Sequence, residues 1–196
     1  MRAKDRPLIN DNVSPAEFLF LLDVWFANAA ASLDPGGSFY IWGGFDTWAT
    51  YPPALETSGL YFSQGIIWMK DWPVMGRKDF MTNHDSCFYG WKMGAGHQYY
   101  GPKNATDLWV VRKIAPMNMV HLTQKPVELA IRALTYSSRV GDNVLDLFGG
   151  SGSTMLACQQ LDRKCYTMEM DPAYCDVAVR RWEMATGRKA AVLDVS

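Results

Sequence analysis

The order of strand-like and helix-like segments predicts an α/β fold with a mostly parallel sheet. Three observations carry this. In the second half, "DNVLDLF", "SGSTMLACQQL", "KCYTMEM", "DPAYCDVAVRRWEMATG" and "KAAVLDV" alternate strand, helix, strand, helix, strand. A glycine-rich turn, "GGSG" at 149–152, joins the first of these strands to the first helix. The chain has 196 residues, 48% hydrophobic and 20% charged, the balance of one globular domain.

The elements follow in order. "MRAKDRPLINDNV" is polar and reads as loop. "SPAEFLFLLDVWFANAAASLDPGG" reads as a helix: Ser14 caps it, Pro15 suits its first position and Glu17 completes a capping box. Phe18, Leu22, Trp25 and Ala29 share one face, and Pro35-Gly36-Gly37 ends the helix. "SFYIWGG" is a short buried strand, "DTWATYPPALETSG" an irregular helix broken at Pro52-Pro53, and "YFSQGIIWMKD" a second strand. Residues 71–120 carry no clean period, although "SCFYGWKMG" and "TDLWVVR" look like strands and "HQYYGPKN" like loop. "KPVELAIRALTYSS" is a helix that Pro126 can begin.

A net charge of −1 gives no overall basic field, so any nucleic-acid contact must come from a local patch. Cys87, Cys158, Cys165 and Cys175 form no C-x-x-C pair, which argues against zinc, and no other metal is expected. No apolar run approaches 18 residues and no leader precedes the polar start. A reduced cytoplasmic protein without membrane contact is the expectation.

The loop at 149–152 points to a nucleotide-like ligand. Gly149, Gly150 and Gly152 let the backbone turn sharply and pass close to a bound molecule. The following helix aims its first N–H groups there. Glu169 ends the next strand, which in a β-α-β unit places a carboxylate beside the loop, within reach of two ribose hydroxyls. Asp146 lies in the first strand, placed to anchor the loop or meet a cationic group. "GGSGST" lacks the G-x-G-x-x-G spacing of nicotinamide domains, and no G-x-x-x-x-G-K-[ST] phosphate loop occurs. A tight turn without any ligand is the bland alternative.

Together "HLTQKPVELAIRAL" and "GDNVLDLFGGSGSTMLACQQLDRKCYTMEMDPAYCDVAVRRWE" resemble the amino-methyltransferases of DNA, in the permuted subgroup whose catalytic region precedes the cofactor region. "SFYIWGG" and "IIWMKD" match that subgroup's middle motifs less specifically. The resemblance implies a Rossmann-like three-layer sandwich forming one domain over 1–196, with a short target-recognition insert at 71–120 and a cofactor half at 121–196. It implies S-adenosylmethionine as cofactor and double-stranded DNA as partner, within a restriction-modification setting. The reaction is methyl transfer to an exocyclic base amine, adenine N6 in preference to cytosine N4 on family frequency alone. Asp146, Phe148, Gly149, Gly150, Gly152 and Thr154 would surround the methionine and adenosine, with Glu169 on the ribose. His121, Thr123 and Lys125 would close over the methionine end.

The family's catalytic motif is Asp, Asn or Ser, then Pro-Pro, then an aromatic residue. It does not occur here: in "YPPA", Tyr51 cannot accept an amine as a carboxylate does and Ala54 cannot stack, while "DPAY" reads as a helix start. The catalytic residues are therefore unassigned. The strand that carries the motif lies beside "NVLDLF" in this family's sheet, so the fold is expected to lack one central strand. A truncated frame, a non-catalytic remnant, and one half of a split enzyme completed by an N-terminal fragment or by dimerisation all fit. On the DNA side, Arg77, Lys78, Lys92, Lys103, Arg112 and Lys113 are candidate phosphate contacts. Trp91, Tyr99 and Tyr100 are candidate wedges, and Trp42 and Trp68 stand near the expected base pocket.

Overall fold

The computed structural model describes residues 13–74, 79–115, 117, 119 and 124–193. The described residues fall into two compact units, one running up to Lys113 and including Tyr136–Ser138, the other made of Ile114–Thr135 and the residues from Arg139 onward.

In the first unit, α1 spans Pro15–Ser32. The Ser14 side chain accepts from the Glu17 N–H at 3.2 Å, satisfying one of the orphan donors of the first turn. The buried stripe is Leu22, Phe26 and Ala30, at strict i, i+4 spacing. Phe18 and Trp25 pack against it half-buried, so Phe18, Leu22 and Trp25 of the expected face meet the core, which extends round to Phe26 and Ala30. Strand β1 (Ser38–Gly43) follows, then a 3-10 turn at Phe45–Thr50 and helix α2 at Tyr51–Thr57. Pro52 does not break α2: it occupies the first turn, where its missing N–H costs nothing.

Strands β2 (Leu60–Val74), β3 (Thr82–Lys92) and β4 (Leu108–Val110) complete a four-stranded sheet in the order β1-β3-β2-β4. The β1–β3 and β2–β3 pairs are antiparallel and β2–β4 is parallel. The α/β class stands, but this sheet is mixed rather than mostly parallel. The cause is β3, which inserts between β1 and β2 and runs against both. Near its end a Cβ on Gly90 would stand 1.9 Å from the Tyr61 carbonyl oxygen, so no side chain fits there. One sheet face packs on α1 and α2, where Phe88 stacks on Tyr51 at 4.5 Å amid Leu22, Phe26, Leu55 and Leu60.

In the second unit, α3 begins at Val127 after Pro126 and buries Leu129 and Leu134. Its last residues, 136 and 137, count with the first unit. Strand β5 (Asn143–Asp146), helix α4 (Ser153–Gln160) and strand β6 (Lys164–Thr167) form a parallel β-α-β unit, in register from Asn143↔Lys164 to Asp146↔Thr167. Leu134, Ala157 and Cys158 make its core with Ile131, Val144 and Cys165. Helix α5 (Pro172–Thr186) starts at an Asp171 cap whose carboxylate accepts from the Ala173 N–H at 2.8 Å. It ends at Gly187 in the left-handed conformation. The strand expected over "KAAVLDV" does not form: described residues 188–193 carry no regular structure. Among the described residues, β5 pairs on one edge only, with β6, and β1 on one edge only, with β3. All four cysteines are free thiols.

Candidate cofactor site

The site is built where β5 and β6 end. The ladder continues one step past the strands: the Met168 N–H donates to the Asp146 carbonyl at 2.9 Å and the Gly149 N–H to the Met168 carbonyl at 2.8 Å. This holds the loop against the end of β6. Gly149 lies so close that a Cβ would meet Thr167 Oγ1 at 2.2 Å. Gly150 (φ +51°) and Gly152 (φ +78°) take left-handed backbone, and the Gly152 N–H closes a turn on the Gly149 carbonyl at 2.8 Å.

Two carboxylates organise the loop. Asp146 Oδ1 accepts from the Phe148 N–H at 3.0 Å, the anchoring role that its position suggested. Glu169 Oε2 accepts from the Gly150 N–H at 2.7 Å and its Oε1 from the Asp171 N–H at 2.9 Å. Glu169 is half-buried, and each oxygen keeps a second lone pair for a donor such as a hydroxyl. Thr154 lies in the first turn of α4, half-buried. Around these polar groups Phe148 is 62% exposed, Met168 61% and Met170 62%. Three large apolar side chains left in solvent at one end of two strands are what a flat apolar ligand would cover. The residues present fit a nucleoside-bearing ligand: glycines at the turn, a helix N-terminus, a carboxylate and an apolar rim.

The structure therefore brings Asp146, Phe148, Gly149, Gly150, Gly152, Thr154 and Glu169 together. Lys125 also comes close through its backbone, since the Ser153 hydroxyl donates to the Lys125 carbonyl at 2.8 Å. His121 and Thr123 lie outside the described residues, as do Arg77 and Lys78. Sequence reasoning missed four participants. Ser153 ties the start of α4 to the segment before α3. Arg181 on α5 donates to the carbonyl and hydroxyl of buried Ser151, fixing the loop from behind. Desolvation pushes the Arg181 guanidinium below its usual value, and it remains a cation at neutral pH. Met168 and Met170 flank Glu169 on "TMEM", a signal that was legible once β6 was assigned.

Of the proposed DNA-side residues, Trp42 packs edge-on against Trp68, with centroids 6.2 Å apart. Trp68 is core: its indole N–H donates to the Val111 carbonyl at 2.8 Å, and Lys70 lies over its ring while pairing with Asp85 at 2.7 Å. The Lys92 ammonium donates to the Leu33 carbonyl at 2.8 Å, which uses one of its three donors. Lys103 is exposed. Arg112 stands 3.4 Å from Asp71, whose other oxygen accepts from the Lys113 N–H. Trp91 stacks on His97 at 3.9 Å, and the Tyr99 and Tyr100 hydroxyls bond within their own loop.

The family model for the DNA methylases matches residues 2–180. The chain belongs to the DNA methylase family. Among curated relatives, the type II methyltransferase M.Cfr9I of Citrobacter freundii is 31% identical over 140 residues, covering 65% of this chain and 46% of that protein. M.HpaI of Haemophilus parainfluenzae is 26% identical over 199 residues, covering 91% and 63%. The chain thus spans about half to two thirds of the length of these relatives. Among solved structures, an M1.HpyAVI–SAM complex superposes with a TM-score of 0.76 at 27% identity, covering 86% of this chain and 85% of that one. TTHA0409 of Thermus thermophilus, complexed with S-adenosyl-L-methionine, gives 0.73 at 24% identity, covering 92% and 83%. The cytosine-N4-specific PvuII DNA methyltransferase gives 0.74 at 16% identity, covering 90% and 74%. The last two likenesses speak to the fold, which is that of the methyltransferases.

Proposed function

We propose that this DNA methylase chain binds S-adenosylmethionine at the β5–β6 loop and serves methyl transfer to an exocyclic amine of a DNA base, adenine N6 in preference to cytosine N4. The observation that carries the reading is the Glu169 carboxylate bridging the Gly150 and Asp171 N–H groups beside a left-handed glycine turn. The solved relative M1.HpyAVI, described with SAM, supports the choice of cofactor. The bound cofactor supplies a sulfonium methyl that is already electrophilic. The chain's own residues would place it: Glu169 would accept from the ribose hydroxyls, Phe148, Met168 and Met170 would cover the adenine, and Thr154 with the α4 N-terminus would hold the methionine carboxylate. His121, Thr123 and Lys125 are proposed to close the methionine end. The target base must leave the stack and present its amine about 3 Å from the methyl carbon. Trp42, Lys103, Arg77 and Lys78 are proposed DNA contacts, with Lys92 contributing through its two remaining donors.

Residues 1–196 contain no Asp-Pro-Pro-Tyr-type motif. We infer that the amine-holding strand is supplied from outside these residues, in the same polypeptide or by another chain, and that its place is the edge of β5 left unpaired among the described residues. The second reading is a remnant that binds cofactor without methyl transfer. Calorimetric titration with S-adenosylmethionine, followed by labelled methyl transfer to duplex DNA and mass analysis of the nucleosides, tests both. Absence of cofactor binding overturns the assignment. Binding with transfer only when a motif-bearing fragment is added supports completion of the sheet, and N6-methyladenine or N4-methylcytosine names the target.

A further inference from the structure

The first unit carries a cavity of about 250 Å³ on the sheet face opposite α1 and α2, formed by β1, β2, β3, the 97–107 loop and the end of α3. It takes no part in the cofactor site, which belongs to the other unit. Its walls are aromatic: Tyr40 and Tyr89 stand 4.9 Å apart, Trp91 stacks on His97 at 3.9 Å, and Trp109 meets Tyr136 at 90°. Tyr89 is 7% exposed, and its buried hydroxyl has no hydrogen-bond partner among the described residues. The neighbouring Tyr40 hydroxyl is satisfied by Ser137 Oγ at 2.8 Å. Asp107 lies exposed at the mouth, and among the described lining residues there is no lysine or arginine, His97 being turned face-on to Trp91.

Each feature narrows the ligand. An anion would find no lysine or arginine partner. A purely apolar molecule would leave the Tyr89 oxygen as unpaired as before, at the cost that buried polar groups normally avoid. A cation carrying N–H donors finds ring faces, whose quadrupoles attract it, a phenol oxygen to accept one donor, and a carboxylate at the entrance. We propose that this cavity is a binding site for an alkylammonium group, held between the faces of Tyr40, Trp91 and Trp109, donating to Tyr89 Oη and paired with Asp107. The same chemistry is offered by a free amine and by a lysine side chain.

The test uses the full chain at constant ionic strength, following the indole N–H resonances of Trp91 and Trp109 during titration with n-butylammonium chloride. Its neutral counterpart, 1-pentanol, is titrated in parallel. The expected result is a saturable shift with the ammonium and not with the alcohol. Asp107→Asn, on the exposed rim and safe for folding, should weaken it about tenfold. Tyr89→Phe should weaken it while leaving the fold intact. Equal response to the alcohol, no saturation by about 50 mM (a bound beyond which affinity is negligible), or full binding by both variants overturns the proposal. Given ammonium binding, Nα-acetyl-lysine N-methylamide distinguishes the sources: comparable affinity supports a protein side chain, and loss of binding supports a free amine.

Discussion

Glu169→Gln removes very little volume and yet should fail, because of how the carboxylate is used. Its two oxygens accept from two different backbone donors, Gly150 N–H at 2.7 Å and Asp171 N–H at 2.9 Å. Glutamine has a single acceptor oxygen and turns an NH2 group towards the second donor. One charge-assisted bond is lost and the other becomes neutral. Bonds to charged groups contribute about 1.5–3 kcal/mol, and half-burial of the site places the loss near the lower end, about 1.5 kcal/mol. For a chain of this size that is a fall of about 3–6 °C in melting temperature. Under the proposed function the ribose also loses a charged acceptor, so S-adenosylmethionine should bind about tenfold more weakly. Glu169→Ala should cost about twice as much stability. Thermal unfolding with and without cofactor, and calorimetric titration, read both effects. A Glu169→Gln chain that melts and binds like the parent would refute the bridging role.

Gly150→Val should abolish cofactor binding and also cost about 1–2 kcal/mol of stability, since a β-branched residue is strained at φ +51°; cofactor titration and chemical unfolding separate the two. Gly90→Ala should be among the most disruptive single changes, about 3 kcal/mol or more, because the new methyl collides with the Tyr61 carbonyl of β2; unfolding by urea measures it. Trp68→Phe should cost about 1–3 kcal/mol by leaving the Val111 carbonyl unpaired in the interior, again read by unfolding. The N–H of Ala190 and the ammonium of Lys189 hold the Glu183 carboxyl below its usual range. A depressed folded-state value contributes stability above the unfolded pKa of about 4.3 and loses it as pH falls below that. Glu183→Gln should therefore lower the melting temperature slightly at neutral pH and leave it nearly unchanged at acid pH, flattening the acid limb of the stability–pH profile.

The parts legible in the sequence are those decided within a few residues. Ser14 and Asp171 are caps set by spacing alone and both formed, although among the described residues the Glu17 side chain makes no return bond to complete the box at Ser14. Gly149–Gly152 and Glu169 met because a short β-α-β unit leaves no other geometry. What stayed hidden depends on partners distant in the chain. Nothing local to Thr82–Lys92 says that it enters between β1 and β2. Lys92 reads as a surface cation, yet it reaches a helix-end carbonyl 59 residues away. On α1 the expected Phe18, Leu22 and Trp25 do reach the core, and Phe26 and Ala30 join them because Tyr51, distant in the chain, widens the covered side.

Glu169 has one further consequence, for how fast a ligand arrives. Because one carboxylate already clips the Gly150 and Asp171 backbones together, the entropy of ordering this wall of the site is spent during folding. On the β5–β6 side an incoming molecule meets a surface already in shape. Under the proposed function, capture on that side is set by diffusion and desolvation, and differences in affinity among analogues should show in how slowly they leave.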